Sequence, residues 1–253
     1  MRKLVACLAC RNHGTRLYGK PLQNLDIEKR LTVLEYMIAA VKTYGAVSSI
    51  VIGISEGDEN LVFREIAAKN GIDFIVGSEE DVLQRLIQCC VKANGTDIFR
   101  LTTESPFTYF EAIDQAWNEH VSSNRDLTAL DQLPDGSGFE MIRLDAYKHS
   151  WEKGEARHRS ELCSLYIREH KEDFTIGYID VPQEIRRTDI RLTIDYPEDL
   201  ILCRAVYQAF KEFSPRIPLE RIITFIDKNP FDLFDPRQPV CSFQVKMGFQ
   251  VTA

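Results

Sequence analysis

Through its first half the chain alternates short apolar, β-branched runs with longer stretches whose apolar residues recur every three or four positions. The runs at Leu4–Ala9, Ser49–Ile54, Asp73–Val76 and Asp97–Thr102 predict strands, and the patterns near Leu31–Tyr44, Glu59–Asn70, Glu80–Ala93 and Phe110–Val121 predict helices. Gly71 and Gly95 follow two of these helices as C-terminal stops, while Asp58 and Glu79 stand as N-caps or first-turn acids. A strand–helix alternation of this kind builds a mostly parallel sheet covered on both faces, so the expected fold is α/β: a three-layer, Rossmann-like architecture.

After about residue 122 the rhythm breaks. The turn-rich Pro134–Gly138 leads to a short strand at Phe139–Leu144 and a helix beginning at Asp145–Trp151. The charged stretch Glu152–Glu161 and the alternating Phe174–Val181 suggest a hairpin or small inserted lobe, spanning 122–189, folded over the open sheet edge. Such a lobe is expected to carry ligand recognition or dimer contacts, which makes a homodimer the candidate assembly. A last strand at Ile190–Ile194 and helices at Glu198–Phe213 and Ile217–Lys228 precede a proline-containing tail at 229–253. Residues 1–253 therefore read as one domain with a lobe and a tail.

Composition narrows the class. The 253 residues are 44% hydrophobic, ordinary for a soluble globule, and no apolar run approaches the length of a membrane span. Met1-Arg2-Lys3 leads into a short strand rather than a signal sequence, so the protein is expected in the cytoplasm. A net charge of -7 argues against general affinity for nucleic acid or an anionic membrane, and the basic residues near the N-terminus become a local device for a small anion. Seven cysteines without an export signal are expected as free thiols. The Cys7–Cys10 pair has no second cysteine or histidine pair to complete a zinc site, so it reads as structural.

That basic device is Arg11–Leu22, R-N-H-G-T-R-L-Y-G-K-P-L, directly after the first strand. A parallel sheet binds ligands beyond the carboxyl ends of its strands. Gly14 and Gly19 let backbone N–H groups approach phosphate oxygens, and Arg11, Arg16 and Lys20 supply the positive charge a polyphosphate needs. The spacing matches neither the P-loop nor the dinucleotide fingerprint. Two acids stand just past later strands: Glu104 in R-L-T-T-E-S-P and Asp195 in L-T-I-D-Y-P-E-D-L. Carboxylate oxygens suit Mg²⁺. From the residues alone, Glu104 equally fits a turn, and Asp195 equally fits a cap on the helix starting at Pro197.

The loop is similar to the R-x-x-x-[ST]-R-L-P-G-K-x-L signature that opens the cytidylyltransferases, with Tyr18 in place of the proline. The resemblance extends to the acids, since that family carries its metal carboxylates in R-[IV]-T-G-D-x-P and [VI]-D-x-P-E-D-L segments. Asp195 matches outright, and Glu104 replaces the usual Asp. Gly77–Leu83 resembles the G-S-x-x-D-V-L nucleoside loop of the branch associated with spore-coat polysaccharide synthesis. Asp135-Gly136-x-Gly138-x-Glu140 resembles its acceptor-side loop, and Glu161–Ile167 a further segment of it. The resemblance covers roughly residues 3–230.

What it implies is a nucleotide-diphospho-sugar transferase type of fold and an Mg²⁺-dependent enzyme joining CTP to a small anionic acceptor, with release of pyrophosphate, for surface polysaccharide or capsule. The implied catalytic cations are Lys20, Arg16 and Arg11. Nucleotide binding falls to Ala9, Cys10, Arg11, Gly14, Thr15, Arg16, Gly19, Lys20, Gly77, Ser78 and Asp81, and the metal to Glu104 and Asp195. Acceptor binding falls to Asp135, Gly138 and Glu140; from the residues themselves, Arg143, Arg157 and Arg159 are cations available on the acceptor side for a carboxylate or phosphate, while His158 between two arginines is expected exposed. The H-x-S-G-T-D-R segment of the deoxy-octulosonate enzymes is missing, so the acceptor is a different sugar acid or a phosphorylated metabolite, with glutamine phosphate one example. Two other readings are a glycosyltransferase, for which no D-x-D motif is found, and a nucleotide-binding regulatory protein without activity.

Overall fold

A computed structural model describes residues 2–229, so the expected tail at 229–253 lies outside the described residues except for Asn229. In chain order the elements are β1 (Leu4–Cys10), the short antiparallel pair β2 (Asn24–Asp26) and β3 (Leu31–Thr32), α1 (Val33–Val41), β4 (Val47–Ser55), α2 (Val62–Asn70), β5 (Asp73–Gly77), α3 (Val82–Lys92), β6 (Asp97–Arg100), α4 (Ile113–Ser122), β7 (Leu127–Ala129), β8 (Glu140–Arg143), α5 (Leu144–Lys153), α6 (Leu165–Glu169), β9 (Ile176–Tyr178), α7 (Pro197–Phe210) and α8 (Leu219–Lys228). Seven strands form one sheet in the order β5-β4-β1-β6-β8-β7-β9, with β8 alone running against its neighbours.

The period of two along β1 divides the core. Leu4, Ala6, Leu8 and Cys10 pack on one face with residues of α1, α2 and α7, whereas Val5 and Cys7 pack on the other with residues of α3 and α5. A strand buried on both faces reads as a continuous apolar run, which is why β1 and β4 were legible. The chain leaves β1 for β4 and β5 on one side and then returns to β6 on the other. That reversal opens a crevice at the carboxyl end of β1.

Differences from the sequence reading have local causes. α1 starts at Val33 because Thr32 caps it: its hydroxyl accepts from the Glu35 N–H while the Glu35 carboxylate accepts from the Thr32 N–H, both at 3.2 Å. Asp81, not Glu79, caps α3. Within residues 122–189 the consecutive β7 and β8 pair antiparallel, but they do so inside the main sheet, and β9 lies parallel to β7 as its edge. Ile190–Ile194 is not a strand. Its amides go to two separate loops, Leu192 N–H to the Asp135 carbonyl and Ile194 N–H to the Glu104 carbonyl, so no ladder forms beyond one bridge at Arg191. The six cysteines among the described residues are buried and free, and no helix among those residues is long and apolar enough to cross a membrane.

Candidate active site

The loop after β1 is folded by its own residues. Gly19 adopts a left-handed φ of 59°, and its N–H donates to the Asn12 carbonyl at 2.8 Å, closing the loop. At Gly14 a Cβ would collide with the Leu17 carbonyl oxygen, so the turn admits no other side chain there. Buried Asn12 ties the loop to the next unit: its N–H donates to Asn60 Oδ1 at 2.8 Å and its side-chain amide to the Glu59 carbonyl. Asn12 Oδ1 is left buried without a partner.

Lys20 joins the first loop to the segment that precedes α7. Its Nζ donates to Asp195 Oδ1 at 2.5 Å, and Arg16 lies 3.3 Å from Asp195 Oδ2. Asp195 does not cap α7. That task falls to Asp199, buried at 1% exposure, whose Oδ2 accepts the N–H groups of Asp195 and Tyr196 at 2.9 and 2.8 Å. Asp199 Oδ1 takes Arg191 Nε and NH2 at 3.0 and 2.7 Å. The guanidinium groups of Arg16 and Arg191 stand 5.1 and 5.3 Å from the Tyr196 ring centre. The Tyr196 hydroxyl and then the Asp195 carboxylate hold Arg16 above its ordinary pKa.

Glu104 follows β6 on the same wall. Burial pushes its carboxyl above the usual range; Lys20 opposes this, while Asp195 and Glu161 add to it. A carboxylate pressed upward beside another, with hydroxyl support only from Thr103 Oγ1 at 3.5 Å, suits a hard divalent cation. Among the described residues no group of three or more His, Cys, Asp or Glu could hold a metal ion, so Glu104 and Asp195 would share one with substrate oxygens and water.

Two adjoining cavities meet at Arg16, Lys20, Arg100, Glu104 and Glu161. The first, about 170 Å³, is lined by Ala9, Arg11, Gly14, Thr15 and Arg16 of the expected nucleotide set. Cys10 is turned into the core, where burial pushes its thiol far up. Gly19 shapes the loop from behind. Gly77, Ser78 and Asp81 are off this wall, and both Asp81 oxygens are used, by the Gln84 N–H at 2.8 Å and Trp151 Nε1 at 2.7 Å. The residues just after them, Val82, Arg85 and Leu86, line the cavity instead.

The second cavity, about 550 Å³, takes Asp135, Gly138, Glu104 and Asp195 from the expected sets. Three arginines assigned to it are elsewhere. Arg143 lines a separate hollow with Asp126 and His149, Arg157 is clamped by Glu169 at 2.6 and 2.7 Å, and Arg159 lies over Trp151 with NH2 donating to that residue's carbonyl. Nearby carboxylates claim Arg143 and Arg157, a fate composition does not reveal. His158 is buried rather than exposed, accepting from the Glu155 N–H and paired with Glu169 at 3.0 Å.

Glu140 sits behind the wall. It faces Arg100 across the β6–β8 ladder and bonds it at 2.9 Å, with Ser164 and Arg168 on its other oxygen at 2.6 and 3.0 Å. Burial works against both charges, but the pairing keeps Arg100 protonated and Glu140 ionised. Arg100 is thus the cation that the sequence reading missed at the junction of the cavities. Its signal was its place at the head of R-L-T-T-E-S-P.

A family model described as cytidylyltransferase matches residues 6–228. The spore coat polysaccharide biosynthesis protein SpsF of Bacillus subtilis (strain 168) is 27% identical over 240 residues, covering 91% of this chain and 96% of its own. Among solved structures, a cytidylyltransferase from Leptospira borgpetersenii serovar Hardjo-bovis (strain JB197) superposes with a TM-score of 0.82 at 22% identity, covering 94% of this chain and 99% of its own. A CMP:2-keto-3-deoxy-manno-octonic acid synthetase complexed with CTP gives a TM-score of 0.63 at 14% identity, covering 82% of this chain and 99% of its own.

Proposed function

This chain belongs to the cytidylyltransferase family, and from that premise we propose that it transfers CMP from CTP to a small anionic acceptor with release of pyrophosphate, in the synthesis of surface polysaccharide or capsule. The observation that carries the reading is the Lys20–Asp195 contact: the first loop and a segment some 175 residues later meet where the two cavities join. Nucleotidyl transfer requires just this meeting of a triphosphate cradle with carboxylates, because catalysis rests on alignment and on neutralising charge.

In this reading the triphosphate lies along Arg11–Lys20 and the acceptor enters the second cavity. An acceptor oxygen attacks the α-phosphorus as the bond to pyrophosphate breaks. Lys20 and Arg16, released from Asp195, neutralise the leaving charge. Glu104 and Asp195 would hold Mg²⁺, which when bound supplies further positive charge to the triphosphate. The acceptor is a sugar acid or a phosphorylated metabolite such as glutamine phosphate, held in the second cavity. The reaction takes place in the cytoplasm.

The test is pyrophosphate release from each nucleoside triphosphate with Mg²⁺ and a panel of carboxylated and phosphorylated acceptors, with and without EDTA. Release from CTP that needs both an acceptor and the metal is expected. Release that starts instead from a nucleotide-sugar, or none with any acceptor, would overturn the reading.

A further inference from the structure

Each of the three cations in the first loop is held by a carboxylate from elsewhere in the chain. Asp195 holds Lys20 and Arg16, and Glu161 holds Arg11 at 3.6 Å. Asp195 is a metal ligand in the proposed reaction, whereas Glu161 has no part in it, although it lines both cavities.

The backbone around Glu161 is fixed and its side chain is not. Its carbonyl accepts from Arg100 at 2.6 Å, and Arg100 is itself gripped by Glu140. Two residues earlier, the Arg159 carbonyl accepts from the Leu83 N–H at the start of α3, at 3.2 Å, and two residues later Cys163 is fully buried. The carboxylate, by contrast, is 76% exposed, and its separation from Arg11 is too long for a hydrogen bond. An exposed ion pair of this kind is weak, whereas a phosphate takes a guanidinium through charge-assisted, bidentate bonds. A triphosphate lying along the loop therefore wins Arg11. It also repels the carboxylate it displaces, and it claims Arg16 while Arg100 stays with Glu140. The second cavity is the direction left, and the next residue, Leu162, lines that cavity and not the first.

We propose that Glu161 changes partner during the reaction: it pairs with Arg11 while the loop is empty, and accepts a hydrogen bond from a hydroxyl or ammonium group of the acceptor once the triphosphate has taken Arg11. The proposal rests on the first cavity being the nucleotide site, and it adds an acceptor-binding residue that a bound nucleotide unmasks. Nucleotide binding then completes the acceptor site, so CTP binds first and each ligand tightens the other.

The test compares wild type, Glu161→Gln, Arg11→Met and the double variant through two readouts. Calorimetry follows CTP binding in Mg²⁺ without acceptor, and pyrophosphate release gives the acceptor's kcat/KM, with glutamine phosphate and the sugar acids of the panel as probes. Removing the competitor for Arg11 should tighten CTP binding about two- to fivefold in Glu161→Gln, and that gain should vanish in the Arg11→Met background. The same Glu161→Gln should lower the acceptor's kcat/KM about tenfold or more, because a charge-assisted bond is lost. A residue that only supports the loop would weaken both ligands, so the opposite signs distinguish the two roles. CTP affinity that is unchanged or weakened in Glu161→Gln, or acceptor kinetics that are unchanged, overturns the proposal and leaves the CTP reading intact. A wild type that binds no CTP, or releases no pyrophosphate with any probe, overturns both.

Discussion

Asp195 and Asp199 lie four residues apart and should fail in opposite ways. Asp199→Ala removes a carboxylate at 1% exposure that accepts two backbone N–H groups and two bonds from Arg191. Breaking a buried pair costs 3–5 kcal/mol; Arg191 is 31% exposed, reaches water and keeps its contact with the Tyr196 ring, so we expect about 3 kcal/mol. In a chain of this size that is a fall in Tm of roughly 6–12 °C. Asp195→Asn removes a charge that is 21% exposed, keeps an oxygen for Lys20, and relieves the push on Glu104 and Asp135. These effects nearly cancel, so its cost should be about 1 kcal/mol or less. Its turnover should instead drop about a hundredfold, with a raised metal requirement. Melting by calorimetry and pyrophosphate release under the same buffer separate the two. The reasoning is refuted if Asp195→Asn melts as early as Asp199→Ala while turning over normally.

Lys20→Ala should fold normally and lower kcat by roughly a hundredfold in the pyrophosphate assay, since a cation on a leaving group acts mainly in the transition state. Glu104 has a folded pKa raised above its unfolded value, so its contribution to stability is present below the unfolded pKa and is lost as pH rises through the folded one. Glu104→Gln should therefore raise Tm at pH 8 but not at pH 4 in metal-free buffer, and Mn²⁺ should raise the Tm of wild type and not of the variant; equal metal shifts in both would exclude Glu104 as a ligand. Arg143→Ala and Arg157→Ala, outside both cavities, should leave the kinetics of CTP and acceptor unchanged, and an altered acceptor KM in either would reopen their assignment.

The strand–helix rhythm was legible because strands buried on both faces admit apolar residues at every position, and helices need an apolar stripe. Past residue 122 that logic weakened. β7 has three residues, too few for a pattern, and Ile190–Ile194 is apolar because it is buried between loops rather than paired in a ladder. The loop Arg11–Lys20 was readable because its geometry is local: Gly14 and Gly19 fix the turn whatever surrounds it. Arg157, Arg159 and Arg100 were not, because a cation's role depends on which carboxylate or ring the fold brings to it, across 12, 8 and 40 residues. Arg85 escaped for a similar reason: a charged residue at a helical position reads as surface until the helix is docked.

The most direct measurement is an anomalous difference map from crystals grown with CTP and Mn²⁺, which locates the metal and the triphosphate independently of turnover. The metal is expected between Glu104 and Asp195, with the triphosphate along Arg11–Lys20 and Lys20 drawn from Asp195 onto it. A triphosphate bound in the hollow beside Arg143 and His149, or a metal that touches neither carboxylate, would contradict the account.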